Sequence, residues 1–92
     1  MEKRIYKYRL QVSARTIELS LPKDARILSV GVQEGHCHIW ALVDAEAPKE
    51  TRLFRTIATG EAFTPDGLTY IGTFHDVESW MVFHLFEEGA KA

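Results

Sequence analysis

The stretch Trp80-Met81-Val82-Phe83-His84-Leu85-Phe86 is apolar on both of its alternating faces, with one histidine in the middle. A strand that is oily on both sides has to be covered on both sides, by its own fold, by a second subunit or by a ligand. This reading puts the segment at the centre of an all-β domain or in a subunit seam. Trp80, Val82, His84 and Phe86 share one face and are the residues expected at such an interface.

The rest of the chain alternates with period two, the signature of half-buried strands. Tyr6, Tyr8, Leu10 and Val12 share one face of a first strand, with Lys7, Arg9 and Gln11 on the other. Ser13-Ala14-Arg15 reads as a turn, and Ile17, Leu19 and Leu21 mark a second strand that Pro22 ends. Arg26–Gln33 is a third, with Gly31 as a candidate bulge or close approach. Glu34-Gly35 turns the chain into a fourth strand from Cys37 to Asp44. Only the polar loop Ala45–Glu50 could hold a helical turn. Thr51–Ala58 and Leu68–His75 are strands five and six, separated by the longest loop, Thr59–Gly67. Seven short strands in this rhythm predict an all-β domain, antiparallel, as a small sandwich or barrel. Short connections favour hairpins and meanders. The domain covers residues 1–87, with 88–92 as a C-terminal tail.

Composition narrows the function classes. The 92 residues include 46% hydrophobic and 26% charged positions, which fits one folded domain rather than a disordered chain. A net charge of −2 argues against non-specific nucleic-acid binding. Lys3, Arg4, Lys7 and Arg9 make the N-terminal arm basic, and Glu87 and Glu88 make the C-terminal end acidic. These are either solvated strand faces or a sign that the first and last strands are neighbours. The single cysteine, Cys37, cannot form an internal disulfide, and the opening MEKRIYKYRL has no apolar signal region. A cytoplasmic location with no membrane partner is expected.

No catalytic motif stands out. His36 and His38, two apart on a strand, could face one metal with His75 as a third ligand, as in cupin-type barrels. The cupin glutamate is missing, since the first glutamate after them is Glu46 in a loop, so two exposed strand-end histidines remain the plain alternative. Ser29, Cys37 and Thr59 lack the context of a nucleophile, and no G-x-S-x-G elbow exists. Asp44, Glu46, Glu61 and Asp66 read as loop carboxylates. Arg52 and Arg55 flank Phe54, and Trp40 and His38 lie on the preceding strand. Arginine with an aromatic ring can grip a phosphate and stack a base, although a core tryptophan with surface arginines has the same pattern. His84 is either a hydrogen-bonded core or seam residue, or the lone polar group that orients a ligand in an apolar pocket. Tyr70 on the neighbouring strand offers a hydroxyl for the same purpose.

Ile5-Tyr6-Lys7-Tyr8, Pro22 with Ala25–Gln33, Ile39–Asp44, Phe54 through Thr59-Gly60, Tyr70–Phe74 and Val82–Glu87 together resemble a family of small phage and prophage proteins, a domain of unknown function found in tailed phages and their hosts. The resemblance implies a non-enzymatic accessory protein acting in the host-cell cytoplasm. Such proteins counter host immunity by sequestering a small signalling nucleotide or by blocking a host defence protein. On the first reading Trp40 stacks a base, Arg52 and Arg55 meet phosphates, and Tyr70 and His84 give polar contacts. The chain is then a homo-oligomer that needs no metal or cofactor and binds no nucleic acid. The alternatives are a direct protein inhibitor and a metal-dependent enzyme using His36, His38 and His75.

Overall fold

The doubly apolar segment becomes the centre of a sheet. In the computed structural model, which describes residues 2–12 and 16–89, the last strand is flanked on both edges. Seven antiparallel strands form two sheets: β1 (Arg4–Arg9), β2 (Thr16–Pro22), β3 (Arg26–Gln33), β4 (His36–Val43), β5 (Lys49–Ala58), β6 (Leu68–His75) and β7 (Val82–Glu88). One sheet has the order β1-β4-β3 and the other β2-β5-β7-β6. The two sheets stack as a sandwich and do not close into a barrel. No helix occurs among the described residues, and residues 44–47 make only a turn in which Ala47 N–H donates to the Asp44 carbonyl (3.0 Å).

The core lies between the sheets and follows the alternation. Cys37, Ile39, Ala41 and Val43 point inward from β4, Ile17 and Leu21 from β2, and Phe54, Phe74 and Leu85 from β5, β6 and β7. No buried polar side chain occurs among the described residues, so the sheets are held together by apolar packing. Phe74 and Phe83 stack at 5.8 Å between ring centroids.

Several expectations shift. Only β3–β4 and β6–β7 are hairpins, because the other connections cross between sheets or, from β5 to β6, pass over β7. The first and last strands are not neighbours. β1 pairs with β4, and the acidic end of β7 instead meets arginines of β5. Glu88 belongs to β7 rather than to a tail. The bulge of β3 falls between Ile27 and Ser29, not at Gly31, and a second one interrupts β6 between Tyr70 and Gly72. The turn expected over residues 13–15 and the last three residues of the tail lie outside the described residues.

Trp80 stands outside the strand that was expected to contain it. Ser79 Oγ donates to Asp76 Oδ2 (2.6 Å), and Asp76 N–H donates to the Met81 carbonyl (2.8 Å). The hairpin therefore closes before Trp80 can join the ladder. Trp80 takes φ +63° and leaves its side chain 90% exposed, beside exposed Val77 and Met81.

At Gly72 the two sheets approach closely. A Cβ at this position would stand 2.7 Å from Val30 Cγ1 on β3. No side chain fits there without displacing that contact.

Candidate functional site

The outer face of the four-stranded sheet holds the most organised cluster of side chains. Alternation turns His84 and Phe86 of β7 outward, and register places Tyr70 of β6 opposite Phe86 and Ile57 of β5 opposite His84. Because β7 inserts between β5 and β6, the loop joining those two strands must pass over it. Glu61 anchors the start of that loop: its Oε1 accepts from Ala58 N–H (2.9 Å) and its own N–H donates to the Ala58 carbonyl (3.0 Å). The loop then lays Phe63 on Phe86 (5.4 Å), and Tyr70 meets Phe86 edge-on (5.6 Å). Ile57 is only 2% exposed although it points away from the core. Together these residues line a recess of about 230 Å³.

One side of the recess is a chain of hydrogen bonds. Thr59 Oγ1 lies 2.8 Å from His84 Nε2, Thr73 Oγ1 2.8 Å from His84 Nδ1, and Tyr70 Oη 2.6 Å from Thr73 Oγ1. The Thr59 hydroxyl gives its single proton to the Val82 carbonyl (3.3 Å). His84 Nε2–H therefore donates to Thr59, and Nδ1 accepts from Thr73, which in turn accepts from Tyr70. Tyr70 heads the chain with its proton committed, so its oxygen is left to accept a hydrogen bond from a ligand donor. The Thr59–His84 pair has the spacing of a nucleophile and base. The group behind the imidazole, however, is a neutral hydroxyl and not the carboxylate that orients the base of a catalytic triad.

The candidate residues divide between the sheets. Tyr70 and His84 come together at the recess, and Arg55 lies on the same face opposite Phe86. Arg55 is held by Glu88 (3.0 Å). Arg52 faces the interior edge instead, where its Nε and Nη2 donate to the two oxygens of Glu87 (2.6 and 2.9 Å) and its Nη1 to the Ala25 carbonyl. The hydrogen bond to Glu87 pushes the Arg52 pKa up against the opposing effect of burial. This guanidinium is a structural clamp. Trp40 lies on the outer face of the other sheet, so it cannot act with either arginine. Of the residues expected along an interface, Val82, His84 and Phe86 share the recess face, where Phe63 and Tyr70 cover Phe86 from within the chain.

His36 and His38 point outward from the three-stranded sheet, whereas His75 shares the outer face of the other sheet. The three do not converge, and no cluster of three His, Cys, Asp or Glu side chains with metal-site geometry occurs among the described residues. Cys37 is a core residue, its thiol pushed up to about 12 by burial first and by the charge of Asp76 second. Thr59, Phe63 and Thr73 were missed as site residues. The length of the loop after β5 was the only signal for Phe63.

The fold and recess define a two-sheet antiparallel sandwich with a small, largely apolar hollow on one outer face. A family model described as "Domain of unknown function (DUF7352)" matches residues 1–92, and the chain belongs to that family. No curated protein and no solved structure matches it. No helix among the described residues is long and apolar enough to cross a membrane.

Proposed function

We propose that this protein is a non-catalytic binding module that captures a nucleotide-like signalling ligand in the recess over Ile57, and that it serves a phage against host immunity by sequestering that ligand. The observation that supports this most is the hydrogen-bonded chain Tyr70–Thr73–His84–Thr59 beside an apolar hollow lined by Phe63, Tyr70 and Phe86. At about 230 Å³ the hollow is smaller than typical ligand pockets of about 300–1,000 Å³, so it suits one ring system rather than a whole dinucleotide. A base would lie against the aromatic rim of Phe63, Tyr70 and Phe86, with an amino group on the Tyr70 oxygen. Its phosphates would extend along β5 toward Arg55, which exchanges Glu88 for them.

Thermal-shift and calorimetric titrations with cyclic and ADP-ribose-type nucleotides test this reading. Binding is expected in the wild type, with loss in His84→Ala and Phe63→Ala and no change in Trp40→Ala on the opposite sheet. Silence across the whole panel, or binding that survives both recess substitutions, rejects it.

The exposed tip formed by Val77, Trp80 and Met81 favours a second reading, direct blocking of a host defence protein. A large exposed aromatic is a common interface anchor. Co-purification of a stoichiometric host partner that is lost in Trp80→Ser supports it, and a partner retained by that variant counts against it. The same tip is the natural seat of self-association, which sedimentation of Trp80→Ser against wild type tests.

A further inference from the structure

The charge of the chain is divided between its sheets. β1, β3 and β4 contain four basic residues, Arg4, Lys7, Arg9 and Arg26, and no aspartate or glutamate. The whole chain has 11 Lys and Arg against 13 Asp and Glu, so seven basic and thirteen acidic residues remain for everything else. The net charge of −2 therefore hides a sheet of opposite sign.

The outer face of this sheet also has an aromatic track. His38 and Trp40 point outward in succession along the central strand, with ring centroids 6.2 Å apart. Trp40 Cζ3 and Cη2 lie 3.4 and 3.8 Å from the point a Cβ of Gly31 would occupy. The six-membered ring of the indole thus packs on the glycine of the neighbouring strand, and Trp40 stays partly exposed on this face. Lys7 and Arg9 stand opposite Trp40 and His38 on β1, and Arg26 stands opposite Leu42 on β3. Lys7 donates to the neutral amide oxygen of Gln33, which leaves its charge uncompensated. Arg9 and Arg26 are exposed and form no ion pair with a described residue.

We infer that this face binds single-stranded nucleic acid, with successive bases on Trp40 and His38 and the backbone running along β1 past Lys7 and Arg9. Ring platforms at successive outward positions of a sheet, bordered by cations, are the arrangement that unpaired bases and their phosphates require. A duplex hides the base faces that these rings would stack. An acidic peptide would satisfy the cations but leave the rings without partners. The site is independent of the recess on the other sheet.

Fluorescence anisotropy with labelled oligo(dT) and oligo(U), in about 50 to 200 mM salt, tests the inference. Binding is expected to weaken as salt rises and to quench Trp40 emission. Trp40→Ala lowers affinity about tenfold or more, the loss of one base stack. Gly31→Val, which props up the indole without removing it, also lowers affinity. The exposed pair Lys7→Gln and Arg9→Gln, which leaves the core untouched, reduces the log–log salt slope by about 0.7 for each cation removed. His84→Ala leaves oligonucleotide binding unchanged, so failure of the recess reading and failure of this one are distinguishable. No binding at the lowest salt overturns the inference. So does equal affinity for duplex DNA or polyglutamate, or binding indifferent to both Trp40→Ala and the double glutamine variant.

Discussion

Replacing Gly72 by alanine tests the contact that brings the two sheets together. The new Cβ would stand 2.7 Å from Val30 Cγ1, roughly an ångström inside van der Waals contact. Valine is β-branched and stiff at χ1, so rotation exchanges one methyl for another instead of opening space. Overpacking of this kind costs about 1–3 kcal/mol. Loss of the glycine's freedom in the unfolded chain returns about 0.4–1 kcal/mol. The net expectation is a loss of about 1–2 kcal/mol, or roughly 4–16 °C in Tm for a domain of this size. The Val30→Ala background reverses the sign. The nearest remaining atom is then the residue 30 Cβ at 4.0 Å, an ordinary contact, so Gly72→Ala becomes neutral or stabilising by up to about 1 kcal/mol. Urea denaturation of the four proteins completes the cycle, and unchanged m-values would confine the effect to the native state. Equal costs of Gly72→Ala in both backgrounds would refute the argument, as would a wild-type background that tolerates it.

Three other outcomes follow from the packing. The buried Cys37 thiol, raised to about 12 from its ordinary 9.0, keeps its proton in the folded state while the unfolded chain loses it. Stability therefore falls as pH rises from about 9 toward 12, by at most about 1.4 kcal/mol per unit from this group, and Cys37→Ala removes that part of the slope; a urea-midpoint series in which the variant keeps the whole slope contradicts this. Arg52→Ala leaves Glu87 and the Ala25 carbonyl without their donors and should cost about 2–3 kcal/mol in urea, with Arg52→Lys recovering only part; a lysine variant as stable as wild type would show that the forked geometry is unimportant. Trp80→Gly should leave stability unchanged or raise it by up to about 1 kcal/mol, because φ +63° favours glycine and the indole packs against nothing; a clear drop in Tm would mean that the side chain is held in solution.

The sequence made the strands legible because most of them keep one face in water. Ile39, Ala41 and Val43 against His38, Trp40 and Leu42 display the sandwich wall in plain alternation. Phe83, His84, Leu85 and Phe86 likewise pointed to a strand at the centre of the domain or in a subunit seam, and β7 lies between β5 and β6. What periodicity cannot reveal is which strands share a sheet. Trp40 and Arg52 lie on consecutive strands, yet the chain changes sheets between them, so their proximity in sequence misleads. The pairing of Glu87 with Arg52 and of Glu88 with Arg55 depends on β7 lying beside β5, a long-range choice made by core packing. Tyr70 and His84 were found because a polar group in an apolar strand is conspicuous by itself. Thr59 and Thr73 were not, since hydroxyls in strands and loops are common and only the register brings them to one imidazole.

The bulge in β6 has a consequence for behaviour at high concentration. β6 ends its sheet and contains no charged residue from Leu68 to His75. A straight, uncharged edge of eight residues would offer its free amides and carbonyls to any copy that drifted alongside, the first step toward fibrils. The irregularity between Tyr70 and Gly72 breaks that edge into two runs, each too short to hold an added strand firmly. Deleting Ile71 to straighten the edge is expected to turn β6 into a template for aggregation, read as a rise in thioflavin-positive material at high concentration. The bulge thus breaks up an edge open to strand addition as well as positioning Tyr70.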